Sequence, residues 1–334
     1  MISSLGFPDS FLLTVGFFRT DSGLSCAIVC PGSFMSEEEK RGFVFNTPDG
    51  DTEMSIEEVQ ELASKGDPDG LYALGMAYLF GWDIETDEKL GYEYLEQASD
   101  KGQAEAMTLL VRMFMQGGYD GMDNEKAAKY SLEAARYGIS DAQMYAGLAY
   151  MDGVSVPQDY SMAAKYFRSA ANQGNDEART NLAYLFQEGL GVEKDEAKAF
   201  KMYRTAAKNG NLNAMFHLGI CYEFGSGTQI DFGKAVEWYE KGSEAGDPFA
   251  TERMAYLYAE GYNGKEPDAE AAFELFVKSA NSGVPGAMFM VGYCYATGKG
   301  TPVDMAEAKK WLKMASDSNV QEATDLLAEI TNIN

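Results

Sequence analysis

ISDAQMYAGLAYMDGVSVPQDYSMAAKYFRSAANQG, residues 139–174, contains two helix-length runs joined by a short loop. The first run ends at Gly153, and the second lies between Asp159 and Gly174. Glycine ends a helix because it adopts the left-handed conformation that other residues resist. Aspartate starts a helix because its carboxylate accepts hydrogen bonds from the free N–H groups of the first turn. The stretch therefore predicts one helix–loop–helix unit.

The same unit recurs along the chain. Successive closing residues are 36 positions apart, or 37 in one case, which is a period typical of stacked helical repeats. The closing residues are Gly66, Gly102, Gly138, Gly174, Gly210, Gly246, Gly283 and Asn319. The fifteenth residue after each closing residue is glycine: Gly81, Gly117, Gly153, Gly189, Gly225, Gly261 and Gly298. The aspartates that start the second helices are Asp87, Asp123, Asp159, Asp195, Asp231, Asp268 and Asp304.

Small and aromatic residues at helical spacing predict the packed faces. Ala142, Ala146 and Tyr150 are four residues apart and share one face of the first helix. The second helix carries a similar stripe that includes Ala163 and Phe167. Proline follows three of the closing glycines by two residues, where its fixed φ suits the first helical position. These prolines are Pro68, Pro248 and Pro285.

The recurring residues resemble the Sel-1-like repeats, which are relatives of the tetratricopeptide repeats. The resemblance rests on an A-x-x-x-L-G-x-x-Y-x-x-G first helix, an aspartate-led loop and an aromatic-rich second helix, as in LNAMFHLGICYEFGSG (212–227) and DFGKAVEWYEKGSEAG (231–246). It implies an all-α fold over residues 67–319, in the form of a right-handed α–α superhelix, or solenoid, of seven antiparallel helix pairs. Such repeats serve mainly as adaptors or scaffolds, so the resemblance implies a protein partner.

The ends of the chain depart from the repeat. Residues 1–52 contain three runs rich in β-branched and aromatic residues (10–20, 24–30 and 42–46) and a turn-like segment at 20–23, which predict a small β-hairpin or three-stranded element. Residues 53–66 are expected to form a capping helix that begins with Ser55 and Glu58 as a capping box. Residues 320–334 predict a C-terminal capping helix, as stacked repeats require.

The composition bears on partners and location. A formal charge of -25 and a pI near 4.4 argue against binding of nucleic acid or of an anionic membrane surface, and favour a neutral or basic partner. The alternative is that the acidity only keeps an extended surface in solution. The apolar run from Phe11 to Phe18 follows no basic residue and is too short to span a membrane. A cytoplasmic location is therefore expected.

The cysteines predict neither disulfides nor a metal site. Cys221 and Cys294 occupy the same repeat position two repeats apart, so they are expected to be core thiols roughly 20 Å from each other. A disulfide needs Cα atoms within about 7 Å. Cys26 and Cys30 have no histidine or further cysteine nearby to complete a zinc site.

The sequence carries no catalytic motif of a common kind. Its single histidine is His217, and it contains no Ser-x-x-Lys, phosphate-binding loop or H-E-x-x-H. We therefore expect no enzymatic activity and no cofactor. Two alternatives stay open: a solenoid that supports the N-terminal segment for assembly, and a hydrolase of the β-lactamase-like kind built from carboxylates.

One face of the first helices is left over after packing. The third, seventh, tenth and fourteenth residues after a closing residue share this face, which is expected to line a concave groove. We predict that the groove binds an extended peptide or a partner's helix, with tyrosines giving contact area and glutamates favouring a basic ligand. The alternative is that the tyrosines only pack against neighbouring helices. The predicted groove residues are Asn181, Tyr184, Glu188, His217, Arg253, Tyr256, Glu260 and Tyr293.

Overall fold

The computed structural model describes residues 25–27, 43–47, 50–115 and 124–332, and the side chains of residues 54–113 and 125–331. Within these ranges it contains three strands, sixteen α-helices and one 3₁₀ turn. The strands are β1 (Ser25–Ala27), β2 (Phe43–Thr47) and β3 (Gly50–Met54). The helices are α1 (Ile56–Ser64), α2 (Pro68–Phe80), α3 (Glu88–Asp100), α4 (Ala104–Met115), α5 (Asn124–Ala134), α6 (Ser140–Asp152), α7 (Tyr160–Asn172), α8 (Asp176–Glu188), α9 (Glu196–Lys208), α10 (Leu212–Phe224), α11 (Phe232–Glu244), α12 (Pro248–Glu260), α13 (Ala269–Asn281), α14 (Pro285–Thr297), α15 (Met305–Asp317) and α16 (Gln321–Asn332).

The three strands form one antiparallel sheet in the order β1-β2-β3. Cys26 pairs with Phe45, and the pairing of Thr47 with Gly50 closes the β2–β3 hairpin. Two of the three predicted runs thus contain a strand. The third strand is β3, an acidic segment that follows the predicted runs and extends past the predicted end of the N-terminal segment at residue 52. The predicted run 10–20 and turn 20–23 lie outside the described residues.

The chain divides into two compact units, residues 1–175 and 176–334. In unit 1, helices α1 to α7 pack consecutively, each against the next. One apolar cluster is shared by these helices and includes Val59, Leu95 and Leu110, none of which exposes any surface. The predicted stripes are buried as expected, since Ala142, Ala146 and their neighbours in α7 lie in the interior.

In unit 2, helices α8 to α16 also pack consecutively, each against the next. Two apolar clusters lie in its interior: one includes Tyr239 and Met254, and another includes Phe276 and Leu312 and extends from α12 to α16. Each cluster combines alanines, which let the helices approach, with larger side chains such as Tyr239 or Phe276, which fill the remaining space. Cys221 and Cys294 are buried free thiols, as predicted.

The helix ends follow the repeat motif. The aspartate of each described loop accepts a hydrogen bond from the first turn of its second helix, as Asp195 does from the Lys198 N–H at 2.9 Å. Closing residues such as Gly174 (φ 97°) and Asn319 (φ 65°) have positive φ. Gly261 departs from the expected left-handed stop: its φ and ψ are 76° and 148°, because the sixth loop holds one extra residue.

A loop position outside the predicted motif also has positive φ. Gly227 (φ 68°) and Gly300 (φ 73°) occupy the seventeenth place of their repeats, where Asn263 (φ 51°) stands in the sixth repeat. A Cβ on Gly227 would lie 2.1 Å from the carbonyl oxygen of Glu196, at the start of α9. Each of these two glycine loops therefore rests directly on the second helix of the preceding pair.

Candidate binding surface

The predicted groove residues all lie in unit 2, on the first helices of its four pairs. We use the name first-helix face for the side of α8, α10, α12 and α14 that carries the third, seventh, tenth and fourteenth residues of each repeat. Residues at this spacing share one side of a helix. Because α8 contacts α10 and α10 contacts α12, their parts of the face adjoin each other. Tyr293 lies on α14, in the last pair.

Arg253 is committed to an internal ion pair. Its guanidinium pairs with the carboxylate of Glu223, and the other carboxylate oxygen accepts a hydrogen bond from the Tyr239 hydroxyl at 2.7 Å. The guanidinium carbon also lies 5.8 Å from the ring centres of both Phe224 and Tyr256. Burial opposes the charge of Arg253, but pairing with Glu223 raises its pKa overall. Arg253 therefore holds α12 to α10 and is only partly available to a ligand.

His217 is packed more tightly than a free groove residue. Its imidazole stacks on the ring of Tyr203 with centres 4.9 Å apart, and Phe216 meets it edge-on at 5.6 Å. Burial lowers the pKa of His217, although the charge of Asp247 partly opposes this. The imidazole is therefore neutral near pH 7, and its main contacts are with aromatic rings.

The three predicted tyrosines differ in exposure. Tyr184 exposes 39% of its surface. Tyr256 is half-buried against Phe276, with ring centres 5.0 Å apart in an edge-on arrangement, and burial raises its pKa. The hydroxyl of Tyr293 accepts a hydrogen bond from Lys299 at 3.2 Å. Helix packing thus accounts for much of Tyr256, whereas Tyr184 presents its ring to solvent.

Carboxylates surround the aromatic residues of the face. Glu188 and Glu260 are exposed at the ends of α8 and α12, and Asn181 lies half-buried on α8. Glu252 is half-buried on α12, and its pKa is raised by desolvation, which the charge of Arg253 partly opposes. Since Arg253 is neutralised by Glu223, the net charge of this part of the face is negative.

Sequence reasoning missed two residues of the face, Phe224 and Phe249, and one residue beside it, Glu223. Phe224 exposes 62% of its surface and Phe249 exposes 55%, both more than Tyr184. The sequence could have indicated both, because Phe224 is the fourteenth residue of its repeat and Phe249 the third, and both positions belong to the face. Glu223, only 7% exposed, occupies the thirteenth position of its repeat, which holds Leu, Met, Gln or Ala in the other repeats. A lone acid at such a position is the signal that could have found it.

Among the residues that the structure describes, no group of three or more histidine, cysteine, aspartate or glutamate side chains is arranged to hold a metal ion. None of the helices in the described ranges is both long and apolar enough to cross a membrane.

Comparison with known proteins accounts for the repeating pairs. The Sel1 repeat pattern matches the chain seven times, over residues 68–103, 104–138, 140–175, 176–211, 212–247, 248–284 and 285–320. The chain belongs to the Sel1 repeat family. Sel1 repeat proteins are generally scaffolds for protein–protein interaction and are generally not catalytic.

Solved Sel1 repeat structures are similar to most of the chain. A Sel1 repeat protein from Oxalobacter formigenes matches with a TM-score of 0.66 and 28% identity, over 82% of this chain and 79% of that one. A protective antigen present in uropathogenic Escherichia coli strains, c5321, matches with a TM-score of 0.50 and 25% identity, over 82% of this chain and 74% of its own. No curated protein matches the sequence.

Proposed function

We propose that the chain is a non-catalytic adaptor that binds a protein or peptide segment on the first-helix face of unit 2. The observation that carries the proposal is the exposure of three large aromatic side chains on this one face: Tyr184, Phe224 and Phe249. Exposed aromatic residues that cluster on one surface are typical of protein interfaces, where they supply contact area at low entropic cost.

The charge of the face favours a neutral or basic partner. Glu188 and Glu260 are exposed, and the positive charge of Arg253 is already balanced by Glu223. The chain as a whole carries a formal charge of -25, so a basic segment is attracted at long range as well. A nucleic acid, a membrane surface and a cofactor are not part of the proposal, and the location we propose is cytoplasmic.

The proposal is tested with a double variant, Tyr184→Ala with Phe224→Ala, in capture experiments from the native cell extract. Both side chains are exposed, so their removal leaves the interior intact, whereas Arg253→Ala would leave the buried Glu223 carboxylate without its cation. The matched control is Val303→Ala, which removes an exposed apolar side chain from the loop between α14 and α15.

We expect the wild type and the control to retain a specific partner that the double variant loses, and we expect high salt to release it. A folded double variant that holds the same partner unchanged would contradict the proposal. A chain beginning at Met54 keeps the capping box of α1 and lacks the whole sheet except Met54, the last residue of β3. Loss of the partner from this form alone would move the function to the N-terminal segment.

A further inference from the structure

At two junctions of unit 2, the sixth residue of one repeat contacts the third residue of the next. Between α10 and α12 these residues are Phe216 and Phe249, whose ring centres lie 6.5 Å apart. Between α12 and α14 they are Glu252 and Gly286, and a Cβ on Gly286 would lie 2.5 Å from a carboxylate oxygen of Glu252. A pair of aromatic rings at one junction is thus replaced at the next by a carboxylate that lies over a bare glycine.

The carboxylate of Glu252 has no partner of its own. Among the described residues it accepts no hydrogen bond and forms no ion pair, and the charge of the adjacent Arg253 is already balanced by Glu223. Glu252 is nevertheless half-buried, and desolvation raises its pKa. A desolvated carboxylate without a cation is unfavourable, so a ligand that brings a cation is favoured there.

Tyr256 supplies a second polar group at the same place. It follows Glu252 by four residues and therefore lies on the same side of α12. Burial raises the pKa of Tyr256, and the nearby charge of Glu252 raises it further. The ring packs against Phe276, whereas its hydroxyl makes no hydrogen bond within the described ranges. An ammonium or guanidinium group carries several N–H donors, so it can bond to a carboxylate and a hydroxyl together.

Gly286 and Phe249 complete the surroundings of the carboxylate. Gly286 lies in the first turn of α14, where the Cβ of any other residue would take the place of the Glu252 carboxylate. Phe249 lies one turn before Glu252 on α12 and exposes 55% of its surface. The junction of α12 and α14 therefore places an acceptor for a cation next to an apolar contact, at the edge of the first-helix face.

A structural role is the alternative for Glu252. A carboxylate beside the first turn of a helix is stabilised by the helix dipole. Val284, the N-cap of α14, supplies no side-chain hydrogen bond, so this role is open. In the described part of the chain, however, no N–H of α14 donates to Glu252, and desolvation raises its pKa where a cap would lower it. Both observations favour a binding role.

We propose that Glu252 and Tyr256 bind the side chain of a Lys or Arg residue of the partner at the junction of α12 and α14. This inference rests on the proposed function and specifies which residue of the partner is selected. The carboxylate of Glu252 pairs with the positive charge, and the hydroxyl of Tyr256 accepts a second hydrogen bond. An apolar residue next to the basic one packs on Phe249.

The test starts from short random peptides displayed on phage and selected on the full chain. The tightest selected peptide is synthesised with a fluorescent label, and its dissociation constant is measured by anisotropy. Further peptides replace each of its Lys or Arg residues in turn by Met. The protein variants are Glu252→Gln, Gly286→Ala and Tyr256→Phe, with Glu244→Gln on α11 as an exposed control of the same charge change.

We expect the selected peptide to contain a basic residue, and Glu252→Gln to weaken its binding about tenfold while Glu244→Gln leaves it unchanged. Replacing that basic residue by Met should weaken binding to the wild type about tenfold and to Glu252→Gln hardly at all, because the effects of paired residues do not add. Gly286→Ala displaces the carboxylate without a change of charge, and Tyr256→Phe removes one acceptor, so each should weaken binding about threefold.

The inference is overturned if no selected peptide contains a basic residue, or if no basic residue is coupled to Glu252. Urea unfolding supplies a second readout. We expect Glu252→Gln to have an unchanged or higher midpoint, since a desolvated charge is removed. A lower midpoint would assign Glu252 to the N-terminus of α14 and overturn the inference too. If binding is uncoupled from Glu252 but lost from the Tyr184→Ala, Phe224→Ala variant, the proposed function survives; if that variant also binds unchanged, both fail.

Discussion

The carboxylate of Glu223 on α10 links two neighbouring helices. It accepts a hydrogen bond from the hydroxyl of Tyr239 on α11 and forms an ion pair with Arg253 on α12. The residues 36 positions earlier are Tyr203, Gln187 and His217, which carry no formal charge near neutral pH. There the Tyr203 hydroxyl and the Gln187 carbonyl oxygen are buried without a hydrogen-bond partner. An acid with a cation in one repeat is thus replaced by an amide with a neutral imidazole in the other. Buried charges require such matching, because an unpaired one is costly.

The first prediction concerns the protonation of His217. Burial lowers its pKa in the folded state, so the unfolded chain binds the proton first, at about pH 6.5. The free energy of unfolding therefore decreases as the pH falls from about 6.5 towards the pKa of the folded state. Well above pH 6.5 the imidazole is neutral in both states, so the free energy of unfolding does not depend on it. NMR titration of this single histidine should give a midpoint below 6.5. A midpoint at or above 6.5 would contradict the burial of the imidazole.

The second prediction concerns the two sets of three residues, which we call triads: Tyr203, Gln187 and His217 in one repeat, and Tyr239, Glu223 and Arg253 in the next. The variant Gln187→Glu tests whether they are equivalent. A carboxylate at this position takes the place that Glu223 has beside Arg253, and should raise the pKa of His217 above its wild-type value. The measurement is the same NMR titration, and Glu193→Gln in the exposed loop before α9 is the control. An unchanged midpoint in Gln187→Glu would show that the two triads do not share one geometry.

The third prediction concerns Gly227. Gly227→Ala should lower the free energy of unfolding by about 1–3 kcal/mol, because the residue has positive φ and a Cβ would meet the Glu196 carbonyl. Gly233→Ala is the matched control, since Gly233 lies in the first turn of α11 and its Cβ has no contact under 3.4 Å. The control should be neutral or stabilising. Denaturant unfolding followed by circular dichroism would refute the prediction if both variants behaved alike.

At the scale of the helix, local chemistry sets the boundaries. The helices α2, α12 and α14 begin at the predicted prolines, and α1 begins with the predicted capping box. The backbone N–H of each loop aspartate that the structure describes also donates to the carbonyl oxygen of the twelfth residue of its repeat, as Asp231 does to Tyr222 at 2.8 Å. One residue therefore both starts the second helix and closes the loop onto the first.

The fourth prediction tests the first of these two roles, the start of the second helix. Asp195→Ala removes the acceptor of the Lys198 N–H and should lower the free energy of unfolding by about 1 kcal/mol. Glu193→Ala, an exposed acid in the same loop, removes the same charge without a cap and should change stability little. Urea unfolding curves for the two variants give the comparison. A cap variant as stable as the control would mean that the hydrogen bond contributes nothing.

At the scale of the whole chain, each unit is stabilised by contacts between adjacent helices. In unit 2 the last helix, α16, covers the apolar cluster around Leu312 with Leu326, Leu327 and Ile330. Stacked repeats of this kind require a terminal helix that is polar on its outer side. The excess of 52 Asp and Glu residues over 27 Lys and Arg residues keeps the molecule negatively charged, which suits the basic ligand proposed above.

The fifth prediction concerns this terminal helix. Leu327→Gln should lower the free energy of unfolding of unit 2 by about 1–3 kcal/mol, because it places an amide against the apolar cluster. Glu329→Gln lies on the exposed side of the same helix and should be neutral. Thermal unfolding of both variants would show it, and equal midpoints would contradict the packing of α16.

The sequence alone was sufficient for the helix pairs, their period, their caps and the buried cysteines, because glycine, proline and aspartate act on backbone groups within a few residues. That the groove residues bind a partner stays a prediction. Their positions on the first helices follow from helical spacing, but only tertiary packing decides that Phe276 covers Tyr256 and that Phe224 stays exposed. The pairing of Glu223 with Arg253 and the close approach of Gly227 to α9 likewise join residues 30 or more positions apart. Contacts between helices depend on how neighbouring repeats stack, and no local pattern in the chain determines that.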